Sequence, residues 1–143
     1  MDLNTALSIS AGGLDAQRQR INTVAINLAN ASTTRTPEGG PYKRKDVVFE
    51  AVPVSSFEAA LNTKMEEAKG VRVSGVVEDK KEPRLLYEPS HPDANKDGYV
   101  AFPNINVIEE MTNMMAATRS YESNVAAINA TKSMSMKALE IGK

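Results

Sequence analysis

Leu7, Leu14, Ile21 and Leu28 recur at a strict seven-residue spacing, and this feature limits most what the chain can fold into. Leu3 and Val24 fall on a companion seam with Ser10 and Gln17 between them, and Ala11 and Ala25 flank it. A sustained heptad predicts a helix with a coiled-coil-like seam, because 3.5 residues per repeat keeps one stripe facing a partner helix. Asn4 or Thr5 is placed to cap its start. The Asn27, Asn30, Ser32, Thr33, Thr34 cluster is placed to stop it, since such side chains compete for the helical hydrogen bonds.

The other end of the chain repeats the pattern. Met111, Met114, Thr118, Tyr121, Val125, Ile128, Lys132, Ser135 and Leu139 alternate spacings of three and four. The predicted helix runs from about Asn106 to Ile141, with Gly142 placed to end it. At ~1.5 Å per residue the two helices span about 40 and 50 Å. Gly12 and Gly13 sit inside the first, each costing about 1 kcal/mol against Ala. They mark either a break or a close-approach surface for another helix, and the residues alone leave both open.

The middle is a different material. Residues 35–103 hold 23 of the 35 charges and six of the seven aromatic residues. Thr36 to Pro41 is turn-rich. Tyr42 to Val52, Val71 to Val77 and Arg84 to Tyr87 read as strands, and Tyr99 to Phe102 as a short extended piece. Ser55 to Lys69 is open between a short helix and a mobile loop. The expected fold is therefore α+β: an N-terminal helical segment (1–34), a small β-rich middle (35–103) and a C-terminal helical segment (104–143), the two helices pairing as a coiled-coil-like hairpin.

Composition narrows the chemistry. The 143 residues carry a formal charge of −1, which gives no sign of a nucleic-acid partner. There is no Cys, hence no disulfide, thiolate metal site or Cys nucleophile. No apolar run reaches the length of a membrane span, and the N-terminal residues lack the basic and apolar regions of a cleavable signal peptide.

Few motifs offer a site. Asp93-Ala94-Asn95-Lys96-Asp97-Gly98 fits the first six positions of a calcium loop, but position twelve is Asn104 rather than Glu, and Pro89, Pro92 and Pro103 replace the flanking helices. An Asp-Gly turn held by Asx side chains is the preferred reading. A calcium-binding interaction module is the alternative. His91, the one histidine, reads as a loop residue, because Ser90 and Asp93 beside it in an extended stretch cannot form a relay with it. Lys43-Arg44-Lys45 is too short for nucleic acid and reads as a solvated strand face or a contact with an acidic neighbour. No cofactor motif and no convergent catalytic group is found, so the chain is expected not to be an enzyme.

The helices instead point to assembly. Met115, Met134 and Met136 lie off the C-terminal seam, and the off-seam face of the first helix is Ser, Thr, Asn and Gln rather than Lys and Glu. A solvated coiled coil carries dense flanking charge. Flexible thioethers suit surfaces that must fit non-identical neighbours. Both helices are therefore expected to be buried on several sides, which a lone hairpin cannot achieve. The residues assigned to helix packing and assembly are Leu7, Leu14, Ile21, Asn27, Leu28, Asn30, Met111, Met114, Tyr121, Val125, Ile128 and Leu139.

Four stretches carry a family resemblance: Ile9 to Arg18 with Asn27-Leu28-Ala29-Asn30 and Thr33; Gly39 to Arg44 before Phe49; Tyr87 to Ala94 with Asp97 to Val100 and Pro103-Asn104; and Glu110-Met111 through Val125, closing with Ala138 to Gly142. In this the chain resembles the proximal rod proteins of the bacterial flagellar basal body, of the FlgC type. The family usually has Ser where Gly12 stands and a second Asn where Ile26 stands. The resemblance implies a structural subunit, exported by the flagellar type III apparatus without a cleaved signal peptide and assembled in the periplasm. It implies helical packing of paired terminal helices around an export channel and a role in torque transmission. The implied partners are other rod proteins, copies of the same chain, and ring and export-apparatus components.

Overall fold

The computed structural model describes residues 3–54 and 68–141. The element order is α1 (Leu3–Ala29), β1 (Lys45–Pro53), β2 (Lys69–Glu78), β3 (Arg84–Tyr87), β4 (Tyr99–Phe102) and α2 (Val107–Ile141). Both long helices and the β character of the middle follow the sequence expectation. The reading of Ser55 to Lys69 lies outside the described residues up to 67, and β2 already begins at Lys69. Gly142 as a helix stop also lies outside them.

The helix ends show why they fall where they do. Asn106 caps α2: its Oδ1 accepts from the backbone N–H of Ile108 at 3.1 Å, and its carbonyl accepts from that of Glu110 at 3.0 Å. Helix α1 starts at Leu3, upstream of Asn4 and Thr5, so neither stands before the first helical residue as a cap must. At its far end the Asn30 side chain donates back to the Ile26 carbonyl at 2.9 Å and accepts from the Thr33 hydroxyl at 3.2 Å. The Ile26 carbonyl also accepts from the Asn30 N–H at 3.1 Å, so the Asn30 side chain folds back onto the last turn and ties it to Thr33.

Helix α1 is the hub. It runs beside α2 and packs its other flank on both strands of the first ribbon. The two helices are antiparallel: Asn27 meets Glu110 and Gly13 meets Asn124, positions two heptads apart on each helix. The glycine question is resolved by this geometry. Helix α1 is unbroken through Gly12 and Gly13. A Cβ on Gly12 would lie 2.9 Å from the Val71 carbonyl oxygen of β2, and one on Gly13 would lie 2.8 Å from Nδ2 of Asn124 on α2. The two glycines thus let a strand and a helix approach α1 on neighbouring faces, and that offsets their poor helix propensity.

The β elements form two separate antiparallel ribbons, β1–β2 and β3–β4. In the first, Lys45 pairs with Glu78 and Pro53 with Lys69, and a bulge leaves Ser74 without a partner between Gly75 and Val73. The first ribbon begins at Lys45 rather than Tyr42, whose backbone N–H donates to the Thr33 carbonyl at 3.0 Å. In the second, Arg84 pairs with Phe102 and Tyr87 with Tyr99, whose rings meet edge to face at 5.3 Å. Among the described residues its backbone approaches no other helix or strand. Buried Val100 and Ile105 and a 2.8 Å bond from the Thr34 hydroxyl to Asp93 tie it to the rest.

Candidate functional site

Among the described residues, the largest fully buried side chains of the two helices are polar. Asn27 is fully buried at the last turn of α1, and Glu110 is 1% exposed in the first turn of α2. Asn27 uses its whole bonding capacity. Its Nδ2 donates to the Lys45 carbonyl at 2.7 Å and to Glu110 Oε2 at 3.1 Å. Its Oδ1 accepts from the Lys45 backbone N–H at 2.9 Å and from the Tyr42 hydroxyl at 3.0 Å. Glu110 Oε1 in turn accepts from Arg44 Nε at 2.7 Å, and a second Arg44 nitrogen reaches Asp46 at 3.3 Å. Three chain segments are thereby clasped: the end of α1, the entry to β1 and the start of α2.

The electrostatics fit the geometry. Burial works against the Arg44 charge, but the Glu110 and Asp46 carboxylates outweigh it and push its pKa up. The positive end of α2 also favours a carboxylate in its first turn. Burial, followed by the charges of Glu78 and Glu110, pushes the Tyr42 phenol up. A fully satisfied buried network of this kind fixes position rather than performing chemistry.

The stripe that lines the hairpin is small and polar. On α2, Glu110, Ala117 and Thr131 are buried and Asn124 is half-buried, all at seven-residue spacing. On α1 the buried positions are Gly13, Ala16, Thr23, Val24 and Asn27. Of the residues assigned to packing from the heptads, Leu7, Leu14, Ile21 and Leu28 are half-buried on α1. On α2, Met114, Tyr121, Val125 and Ile128 are half-buried, whereas Met111 and Leu139 are exposed, Leu139 at 75%. Asn27 is the centre of the clasp, and Asn30 closes the helix end. The seam read from large apolar residues is thus not the line along which the two helices meet most closely. Backbones approach closely over Gly, Ala, Asn and Thr, and the large side chains are displaced to the flanks and outer face.

Three clasp members were legible in the sequence to different degrees. Arg44 is the acidic-neighbour contact left open for the basic triplet, and its partner is Glu110. Tyr42 was read as part of a strand, and Glu110 carried no assignment beyond the family motif. The available signal was the shared heptad of Glu110 with Ala117, Asn124 and Thr131.

The calcium-like loop is occupied by protein donors. Asn95 Oδ1 accepts from the N–H groups of Asp97 and Tyr99, both at 2.9 Å. Gly98 takes a left-handed φ of 82°, as the Asp-Gly turn requires. His91 Nδ1 accepts from the Asp93 N–H at 3.1 Å. Among the described residues no group of three or more His, Asp or Glu side chains is placed to hold a metal ion. None of the described helices is long and apolar enough to cross a membrane.

Comparison with known proteins gives this arrangement its setting. Residues 7–35 match a family model described as "Flagella basal body rod protein", and residues 96–141 match "Flagellar basal body rod FlgEFG protein C-terminal". Both ends of the hairpin, and with them Asn27 and Glu110, fall within these matches. The flagellar basal-body rod protein FlgC of Bacillus subtilis strain 168 is 47% identical, over 96% of this chain and 97% of that protein. The FlgC proteins of Borreliella burgdorferi and Escherichia coli O6:H1 are 40% and 41% identical, covering 98% or more of both chains. The chain belongs to the FlgC family of flagellar basal-body rod proteins. FlgC-family membership makes it a structural subunit of the basal-body rod.

Proposed function

We propose that this FlgC-family chain is a subunit of the proximal rod that assembles helically in the periplasm through the outer faces of its two terminal helices. In that assembly it transmits torque and lines the path used for export. Other rod proteins and further copies of the chain cover the helices, and basal-body ring and export-apparatus components are its further partners. The chain reaches its place through the flagellar type III route.

One observation carries this reading. Helix α2 leaves Ile108, Met111, Met115, Met134, Met136 and Leu139 exposed, with more than half the surface of each open. They form two groups, Ile108, Met111 and Met115 near the start of the helix and Met134, Met136 and Leu139 near its end, and exposed large apolar side chains grouped in this way mark an interaction surface. Four of the six are Met, whose flexible thioether adapts to neighbours that differ in sequence.

The test is Met111→Asp combined with Leu139→Asp, expressed in cells lacking the native gene. The purified variant should retain the helix content of the parent, since both positions are exposed. Incorporation into isolated basal bodies and swimming should both be lost. Normal incorporation and swimming would refute an assembly role for this face.

A further inference from the structure

We propose that the Asn27–Glu110–Arg44 clasp is a register lock, which selects one axial alignment of the two helices from alternatives that the rest of their contact tolerates. The need for a lock follows from the residues along the line of contact. The native alignment sets Asn27 against Glu110 and Gly13 against Asn124. The stripe on α2 repeats at 110, 117, 124 and 131. A slip of one heptad would set Asn27 against Ala117 and Gly13 against Thr131. Those are small or short side chains, and no large apolar knob is forced from its hole. Heptads built this way specify that helices pair, but they specify weakly where along the axis.

The clasp removes the ambiguity. A slipped alignment places Asn27 against a methyl group and leaves the buried Glu110 carboxylate away from both Asn27 and Arg44. Asn27 also holds both backbone polar groups of Lys45, at 2.7 and 2.9 Å. The same alignment is therefore read by the first ribbon, and the lock sets the helices and the ribbon together. A single buried polar residue that fixes helix register is the best-attested use of such groups.

The experiment separates a lock from a simple stabilising contact. The chain has no Cys, so spin labels can be placed through Ser8→Cys and Arg119→Cys, both exposed helix positions. The parent chain should give one narrow distance by double electron–electron resonance. Replacing the clasp with apolar residues of similar size (Asn27→Leu, Glu110→Leu, Arg44→Met) should leave a folded, helical chain with a second distance, displaced by up to about 10 Å for one heptad. Glu110→Gln, which keeps the shape and removes the charge, should give an intermediate population. A single native distance in the folded apolar variant would overturn the proposal. Failure of that variant to fold, while Glu110→Gln keeps one native distance, would equally reduce the clasp to a stability element.

Discussion

Where α1 ends and α2 begins, the helices are joined by a buried amide, a buried carboxylate and a guanidinium, each holding named partners at 2.7–3.1 Å. Two heptads away they meet through Gly13 and Asn124. Beyond that, the native register carries the last two turns of α2 past Leu3, with Met134, Met136 and Leu139 exposed. One end of the hairpin is held by a specific, closed clasp, and the other is open. Exposed apolar residues flank both: Ile108, Met111 and Met115 lie beside the clasp on α2, and Met134, Met136 and Leu139 at the far end. The lesson is that one pair of helices can hold its own shape through its inward stripe and meet neighbours through its outward side.

The strongest way to break this contrast is Glu110→Ala. Removing one member of a buried pair strands the other, and such changes cost about 3–5 kcal/mol. Arg44 keeps 18% of its side-chain surface, so the loss should be near about 3 kcal/mol, measured as a shift in the urea midpoint. The glycines come next. Gly12→Ala places a methyl against the backbone of β2, which cannot yield. Overpacking of about 1–3 kcal/mol should exceed the gain of about 1 kcal/mol in helix propensity, giving a net loss. Gly13→Ala meets only the end of the Asn124 side chain, which can swing. It should fall within about 0.5 kcal/mol of the parent, the propensity gain offsetting the adjustment. Equal losses at the two positions would remove the distinction between a fixed and a yielding neighbour.

Tyr42→Phe sharpens the closed end. It deletes one hydrogen bond to Asn27 and should cost about 1 kcal/mol at neutral pH. The pH dependence is the more telling readout. The folded-state pKa of Tyr42 is raised above the ordinary 10.0, first by burial and then by Glu78 and Glu110. Below pH 10 its contribution is fully present. Above it the unfolded chain loses the phenolic proton first, so stability falls as pH rises through the folded pKa. The phenylalanine variant should show a shallower alkaline decline, followed by denaturant titration from pH 9 to 11. Leu139→Ser at the open end should change the stability of the single chain by no more than about 0.5 kcal/mol. A large loss there would mean that the overhang already has a partner within its own chain.

Periodicity made the architecture legible: two long helices at the ends and short strands between them follow from heptads, β-branched runs and turn residues. It misplaced the line of contact because hydropathy weights Leu, Met and Ile, whereas backbones come closest over Gly13, Ala16, Ala117 and Thr131. It missed Glu110 because a carboxylate in a helix's first turn is favoured at any solvated end, so nothing local distinguishes a buried one. Asn27 was recognised as a residue that matters to the helices, but a stop signal and a four-bonded core amide look alike in sequence. Arg44 lies 66 residues from Glu110, and no spacing rule connects them.

The separation between Asn27 and Glu110 is larger still, at 83 residues, and it governs the order of events during folding. The first ribbon joins nearer parts of the chain, while the clasp must wait for the two ends to find each other. Closing so large a loop adds its entropic cost before any contact rewards it. A nascent chain ending near residue 105 would already contain Asn27, Tyr42, Arg44 and Asp46, yet it would lack the Glu110 carboxylate that joins Asn27 to Arg44. The last helix to be synthesised is thus the one that completes the earliest segment, and the rate at which α2 docks should set the rate at which the whole molecule becomes native.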